Sequence, residues 1–305
     1  MSLIFKKPEI SNKTEFQSIL DQEKNIHSES AFGTWFLWAE TLGIEVCKFE
    51  NIIFKKMGTN INNTVFEFPR GAKSIDELRN AILMLIGYAQ KIKLPEFKFT
   101  ELLSSEILKL QSAFPEKFKI TANRDKYEYI YKTKDLALLP GKKYHGKKNH
   151  ISKFSKMYDW EYKPIDYKDK EKYLKFIKTW FEKKMSPEKI KYSQEYKAIQ
   201  TAINNLENLG LLGGTIEIQN NIAAFTMGEK INNKNLLIHF EKALPEYSGA
   251  YSVINREFAK TFLNKYDFIN REEDMGIPGL RKSKLSYKPV ALLPKYDATL
   301  TDYQI

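Results

Sequence analysis

The order of helical and strand-like patterns restricts the fold of this chain more than any single motif does. In the second half, residues 166–184 and 193–209 carry apolar side chains at helical spacing. Three short strand-like runs follow, at 214–219, 222–228 and 236–241. Asn220 and Asn221 separate the first two runs, and such a pair is typical of a hairpin turn. A helix, a strand, a short helix and a last strand are predicted at 249–263, 266–270, 279–284 and 286–290.

The first half of the chain repeats this order. Two helices, a three-strand meander, a long helix and then alternating strands and helices are predicted at 13–24, 32–42, 44–49, 52–56, 64–68, 74–91, 97–102, 105–114, 118–120 and 127–132. Ser74 and Glu77 at the start of the long helix form a capping-box pattern. Because the two halves share one order of elements, the sequence predicts an α+β fold with two domains, residues 1–138 and 139–305.

Composition permits a folded core and indicates an anionic partner. The 305 residues are 42% hydrophobic and 13% aromatic, which is enough for one large domain or two ordinary ones. The net charge is +11, and residues 131–197 hold 19 Lys against 9 Asp or Glu, a net charge of +10. Such a segment is typical of proteins that bind nucleic acid, lipid headgroups or phosphate-bearing cofactors. A surface that is merely rich in lysine is the alternative.

Targeting, redox and metal signals are missing from the sequence. Cys47 is the single cysteine, so neither an internal disulfide nor a cysteine metal site can form. Residues 1–7 do not resemble a signal peptide, and the apolar run at 81–89 is too short to span a membrane. We therefore expect a soluble, cytoplasmic protein. His145 and His150 are badly spaced for two ligands on one helix face, so no metal site is predicted.

The densest positive segment is LLPGKKYHGKKNH at 138–150, which follows a turn at Pro140 and Gly141. Its lysines are predicted to contact phosphates, and Tyr144 and His145 are predicted to stack on a base. The residues predicted to bind an anion or tRNA are Lys142, Lys143, His145, Lys147, Lys148 and Asn149.

Three blocks of sequence together resemble one known family. They are LLPGKKYHGKKNHISKF at 138–154, HFEKA at 239–243 and NREEDMGIPGLRKSKLSYKP at 270–289. They are similar to the soluble relatives of the phosphatidylglycerol lysyltransferase C-terminal domain. The resemblance covers residues 130–305 clearly. It implies two tandem GNAT-like acyltransferase domains, as in the Fem-type aminoacyltransferases, and the order of elements agrees with that fold.

The resemblance also implies a reaction. An acceptor hydroxyl or amine attacks the carbonyl of an activated acyl group, and aminoacyl-tRNA is the expected donor. No tightly bound cofactor is expected. The expected partners are tRNA, a small-molecule or lipid acceptor, and the surface of an anionic membrane.

Within these blocks, several residues are candidates for chemistry. Glu241 is the candidate general base and Tyr287, placed on the last predicted strand, the candidate acid. Arg281 and Lys284 are the candidate anion clamp. The remaining residues predicted to bind substrate are Lys242, Tyr251, Asn270, Glu272 and Asp274. Solvated ion pairs, and a turn held by internal salt bridges, are the structural alternatives.

Two other functions remain open at this level. GNAT enzymes that use acyl-coenzyme A resemble one another before the central helix. They carry Arg or Gln, any two residues, Gly, any one residue, and then Gly or Ala. This chain has Glu246, Gly249 and Tyr251 at those three positions. Glu246 would repel a pyrophosphate, which argues against coenzyme A as the donor. An acyl-coenzyme A-dependent N-acetyltransferase is therefore the second hypothesis and not the first. The third is a non-catalytic protein that binds RNA or an anionic surface through its basic segment.

Overall fold

Two β-sheets with flanking helices organise residues 3–304, the part of the chain that the computed structural model describes. The first elements are α1 (Lys13–Gln22), α2 (Phe32–Leu42), β1 (Glu45–Phe49), β2 (Ile52–Met57), β3 (Val65–Phe66), α3 (Ile75–Lys91), β4 (Lys98–Leu102), α4 (Ser104–Ala113), β5 (Phe118–Ala122) and β6 (Glu128–Lys132). The later elements are α5 (Thr133–Leu138), α6 (His145–Met157), β7 (Trp160–Pro164), α7 (Lys170–Glu182), α8 (Pro187–Tyr192), α9 (Gln194–Asn204), α10 (Leu206–Leu209), β8 (Leu212–Ile218), β9 (Asn221–Lys230), β10 (Asn235–Ala243), α11 (Ala250–Thr261), β11 (Phe268–Asn270), α12 (Pro278–Ser286), β12 (Ala291–Leu293) and β13 (Tyr296–Leu300). Within this range, none of the helices has the length and apolar character that crossing a membrane requires.

The two sheets are built alike. Their strand orders are β1-β2-β3-β4-β13-β5 and β12-β6-β11-β10-β9-β8-β7. One neighbouring pair in each sheet is parallel, β3 with β4 and β10 with β11, and the other pairs are antiparallel. A helix joins each parallel pair, α3 in the first sheet and α11 in the second, because parallel strands need a long crossover. The predicted α+β class, with two mixed and mostly antiparallel sheets, is confirmed.

Two strands cross the domain boundary that the sequence predicts between residues 138 and 139. β6 precedes that boundary but pairs with β11 and β12 in the second sheet. β13 lies near the C-terminus but pairs with β4 and β5 in the first sheet. Each half therefore completes the sheet of the other, and a cut at the boundary would take a strand from both. The boundary itself stays a prediction.

The second sheet carries helices on both faces. Successive residues of β9 serve opposite faces, as a strand requires. Ala224 belongs to the apolar cluster beneath α6 and α11, whereas Phe225 belongs to the cluster beneath α7 and α9. Phe16 of α1 and Trp35 of α2 join this second cluster. The largest apolar core is therefore shared between the two halves of the chain.

The end of the chain departs from the sequence prediction. A strand is predicted at 286–290, but α12 continues to Ser286 and the strand β12 begins only at Ala291. Lys288 has a left-handed backbone, with φ of 54°, and Pro289 follows it. Both features break a strand. Tyr287 is therefore the residue that ends α12, not a strand residue.

The hairpin between β8 and β9 is shifted by one residue from its predicted place. Ile218 pairs with Asn221, so the two loop residues are Gln219 and Asn220. Both have positive φ, at 49° and 64°, which is the geometry of a type I′ turn. The sequence prediction of a two-residue turn was correct in kind, but it was placed one residue too late.

Removing the C-terminal strand tests the exchange between the sheets. Truncation after Leu293 deletes β13, so β5 has no neighbouring strand and β4 keeps only β3, which it meets at Phe66 and Phe99. We expect the amides of Phe118–Ala122, and those of Lys98–Leu102 that bond to β13, to lose their protection in hydrogen exchange, because their ladder partner is gone. The amides of β8 and β9 serve as the internal control and should stay protected. Equal protection of both sets before and after truncation would contradict the role of β13.

Candidate active site

A gap between β10 and the chain that follows β11 creates the site. β10 pairs in parallel with β11 over its first three residues, and His239 then forms a β-bulge in its pairing with β9. Arg271 and the Glu272 carbonyl continue the ladder with Tyr129 of β6 instead. Two side-chain pairs bridge the gap, Glu241 with Arg271 and His239 with Glu272.

Glu241 is held from two sides. Its carboxylate accepts hydrogen bonds from Nη2 of Arg271 at 2.9 Å and from Nδ2 of Asn255 at 3.0 Å. The side chains of Glu241 and Arg271 are each 10% exposed, and Asn255 on α11 is buried. Because an ionised carboxylate has about four acceptor positions, Glu241 keeps capacity for a further donor.

Aromatic rings and a lysine complete this cluster. The guanidinium carbon of Arg271 lies 4.8 Å from the ring centroid of Tyr287 and 5.6 Å from that of Tyr131. Nζ of Lys147, from α6, lies 3.8 Å from the Tyr287 ring centroid. Burial raises the pKa of Tyr287, so its phenol keeps its proton at neutral pH. Burial and the charge of Arg271 lower the pKa of Lys147 to about 8.

Two polar atoms beside Glu241 are buried without a partner among the described residues. They are Nη1 of Arg271 and Oδ1 of Asn255. Buried polar atoms are satisfied in the great majority of cases, and the exceptions concentrate where a ligand or a water binds. Besides the free acceptor positions of Glu241, the cluster therefore contains one buried donor atom and one buried acceptor atom without a partner among the described residues.

A protonated histidine, His239, links the two sides of the gap. Nε2 of His239 lies 2.8 Å from Glu229 of β9, and Nδ1 lies 2.9 Å from Glu272. Burial favours the neutral imidazole, but the two carboxylates outweigh it and raise the pKa of His239 to about 10. Gly33 of α2 allows this arrangement, because a Cβ atom there would overlap the Glu229 carboxylate.

The loop after β11 is fixed by its own charges. Asp274 accepts hydrogen bonds from Nε and Nη2 of Arg281 at 2.9 and 2.8 Å and from Tyr129 at 2.5 Å. Although burial opposes it, the bond from Arg281 holds the pKa of Asp274 far below its usual range. Nζ of Lys284 donates to the backbone carbonyls of Arg271 and Glu273. Both residues of the predicted anion clamp, Arg281 and Lys284, are thus bonded to groups of the protein itself.

Five other candidates either bond to groups of the protein itself or lie apart from the cluster. Lys242 points to the opposite face from Glu241 and pairs with Glu195 at 2.7 Å, because neighbouring strand residues alternate. Asn270 is buried and donates to Glu128 at 2.5 Å. Glu272 and Asp274 are likewise bonded to His239 and Arg281, whereas Tyr251 is 43% exposed in the first turn of α11. The cluster brings together Glu241, Tyr287 and Lys147 from the sequence candidates.

The basic segment lies on the surface next to this cluster. Lys142, Lys143, His145, Lys148 and Asn149 are exposed in α6 and the turn before it, whereas Lys147 is only partly exposed and points to Tyr287. Tyr144 is fully buried, so the structure contradicts the suggestion that it stacks on a base. α6 therefore presents cations outward and one lysine inward.

Sequence reasoning missed Arg271 and Asn255. Arg271 stands within the polar block 270–289, so its residue type and position could have been found. Asn255 sits in an ordinary amphipathic helix, and nothing in its neighbourhood of sequence marks it. Only the crossover β10–α11–β11 places it beside Glu241.

The start of α11 is covered by α6. Gly249 is left-handed, with φ of 98°, and a Cβ atom there would lie 2.7 Å from the backbone oxygen of His150. The helix N-terminus at which GNAT enzymes hold a pyrophosphate is thus packed against protein at this point.

The fold and site together define a tandem GNAT-like protein. A tandem GNAT protein from the clavulanic acid biosynthesis pathway superposes with a TM-score of 0.52 at 8% identity, covering 99% of this chain and 100% of that chain.

Within that class, the chain belongs to the family described as "Phosphatidylglycerol lysyltransferase, C-terminal", whose profile matches residues 21–299. The family predicted from the sequence is confirmed, and it supports transferase activity in general.

Several relatives extend this picture. A conserved protein of unknown function from Bacteroides thetaiotaomicron is 32% identical, with a TM-score of 0.89, over 98% of this chain and 100% of that chain. The L-PGS of Bacillus licheniformis has a TM-score of 0.69 at 14% identity, over 99% and 95%. An uncharacterized protein of Mycoplasmoides gallisepticum is 29% identical over 174 residues, which are 55% of this chain and 54% of that protein. The alignment thus spans about half the length of that relative.

Replacing His239 tests the two buried ion pairs that it forms with Glu229 and Glu272. His239→Gln leaves two buried carboxylates without a cation, so we expect the free energy of unfolding at pH 6 to fall by about 3–5 kcal/mol. The raised pKa of His239 means that its contribution is full below pH 6.5 and is lost as pH rises to about 10. Denaturant unfolding at several pH values measures both effects.

The matched control is Lys183→Ala, which breaks an exposed ion pair with Glu246 and should cost about 0–1 kcal/mol. A difference between wild type and His239→Gln that stays constant from pH 6 to 10 would mean that His239 is neutral.

Proposed function

We propose that this chain is an aminoacyltransferase whose reaction centre is the cluster around Glu241. The observation that carries the proposal is the Glu241 carboxylate, bonded by Arg271 and Asn255 beside the phenol of Tyr287 and the amine of Lys147. A base, a proton donor and two cations thus converge in a largely desolvated place, as acyl transfer requires. The family of the chain supports the same class of reaction.

Each of these residues has a separate role in the proposed reaction. Glu241 takes the proton of the attacking hydroxyl or amine as the bond to the carbonyl carbon forms. Arg271 and Lys147 stabilise the oxygen that gains negative charge. Tyr287, whose raised pKa keeps it protonated, donates to the leaving hydroxyl as the ester bond breaks.

Aminoacyl-tRNA is the donor that we propose. The exposed cations of α6 lie on one helix with Lys147, so a bound tRNA can extend from that surface to the cluster. The packing of Gly249 against α6 supports this choice over acyl-coenzyme A, because that helix N-terminus is not free for a pyrophosphate. The protein would work in the cytoplasm without a tightly bound cofactor.

The acceptor that we propose carries a hydroxyl or an amine. The name of the family points to the headgroup of an anionic lipid, which requires contact with a membrane surface. A small soluble acceptor satisfies the same chemistry.

Replacing the base tests the centre. Glu241→Gln keeps the shape of the side chain but removes its basicity, so we expect turnover to fall by about 10²–10⁴-fold. The melting temperature should change by only a few degrees. The measurement is transfer of a labelled amino acid from charged bulk tRNA to lipid or protein extracts, together with thermal unfolding. Glu195→Gln, on the opposite face of the sheet, is the matched control.

Equal and large losses of stability and turnover in Glu241→Gln would assign Glu241 a structural role and remove the proposed base.

Reversing the charge of α6 and of the turn before it tests the donor. Lys142→Glu, Lys143→Glu and Lys148→Glu together should weaken binding of charged tRNA and lower the slope of log affinity against log salt by about 2–3. Binding titrations at several salt concentrations, with charged and uncharged tRNA, measure this. Lys168→Glu, Lys175→Glu and Lys178→Glu, exposed on the side of α7, change the net charge equally and should have little effect.

Tight binding that is equal for charged and uncharged tRNA would favour a non-catalytic RNA-binding protein. Displacement by coenzyme A would favour an acyl-coenzyme A enzyme.

A further inference from the structure

The two unpartnered atoms in the active site have a fixed chemical identity. Asn255 faces Glu241, and a carboxylate only accepts hydrogen bonds, so the Nδ2 group must be the one that points to it. Oδ1 is therefore turned away as an acceptor. Arg271 uses Nη2 for the same carboxylate, which leaves Nη1 as a donor.

Both residues bond the carboxylate of Glu241, so a ligand beside that carboxylate can offer a donor to one free atom and an acceptor to the other. A cationic donor suits Oδ1 of Asn255, because the Glu241 carboxylate is adjacent. An acceptor that gains negative charge suits Nη1 of Arg271. An α-aminoacyl ester carries both, because its ammonium nitrogen is bonded to the α-carbon and its carbonyl oxygen to the adjacent carbon.

The geometry points to Asn255 as the residue that selects donors with an α-amino group over plain acyl donors. The α-ammonium is held by Oδ1 of Asn255 while the carbonyl oxygen is held by Nη1 of Arg271. This inference rests on the proposed function and deepens it, because it gives the donor class a structural reason. Asn255 is a specificity residue here, and Glu241 remains the base.

Burial makes this selection strong. Asn255 is 1% exposed, and both unpartnered atoms are shielded from solvent. A ligand must therefore displace a neighbouring side chain, and Lys147 is the partly exposed one that covers Tyr287. An acyl group without the α-amino group would close the site over an unsatisfied Oδ1 atom, which costs on the order of 10- to 100-fold in affinity.

Two matched amides test the inference without any turnover. L-lysinamide has the α-amino group, and 6-aminohexanamide lacks it while it keeps the rest of the chain. Isothermal titration should show that the wild-type protein prefers L-lysinamide on the order of 10- to 100-fold. Asn255→Leu should abolish the preference by weakening L-lysinamide alone, whereas Asn264→Leu, exposed beyond the end of α11, should retain it.

Equal binding of the two amides by the wild type, no binding of either, or an unchanged preference in Asn255→Leu would overturn the inference. If Asn255→Leu does not fold, the test uses the wild-type protein alone. Its transfer rates from aminoacyl-tRNA and from hydroxyacyl-tRNA are compared, and the aminoacyl donor is expected to be faster. Equal rates would overturn the inference but leave the proposed function intact. The proposed function fails separately, through the absence of any Glu241-dependent transfer.

Discussion

The structure of the site depends on one buried cation, the imidazolium of His239. It joins β9, β10 and the loop after β11, because its two nitrogens bond Glu229 and Glu272 at the same time. Glu272 has a left-handed backbone, with φ of 55°, and such a conformation costs free energy unless its surroundings enforce it. Hydrogen bonds with His239, Asn270 and Tyr129 hold Glu272 in that conformation, and the preceding residue, Arg271, bonds Glu241. The charge of His239 therefore helps to position the groups of the proposed reaction centre.

A second buried network joins the two halves of the chain. Lys295, just before β13, is fully buried and pairs with Glu128 of β6 at 2.8 Å and with Glu101 of β4 at 3.6 Å. Glu128 also accepts from Ser28 near α2, at 2.8 Å from its hydroxyl. These contacts lie where the two exchanged strands cross from one half to the other. Because breaking a buried pair leaves an unpaired charge, the network favours a single relative placement of the two sheets.

The cluster around Glu241 lies on one face of the second sheet and draws residues from both ends of the crossover. Glu241 comes from a strand, Asn255 from the helix that follows, Arg271 from the loop after the next strand and Tyr287 from the end of α12. Lys147 arrives from α6, which covers the start of the crossover helix. The surface that carries the exposed lysines and the cluster around Glu241 are thus connected by α6. The proposed tRNA-binding surface and the proposed reaction centre therefore both involve α6.

Much of this protein was determined by local sequence. Apolar spacing and turn residues located most of the helices and strands, since these depend on neighbours within one or two turns. They did not locate α5, α6, β7, α8, β12 or β13. The motif at 239–243 and the block at 270–289 led to the family, to Glu241 and to Tyr287. Sequence alone could not show the exchange of β6 and β13, because strand pairing between distant segments has no local signal. Nor could it tell that Arg281 and Lys284 are occupied by the protein, or that Asn255 and Arg271 flank Glu241. Those facts depend on which side chains meet in space, and only the packed tertiary structure decides which charges are satisfied and which are left for a ligand.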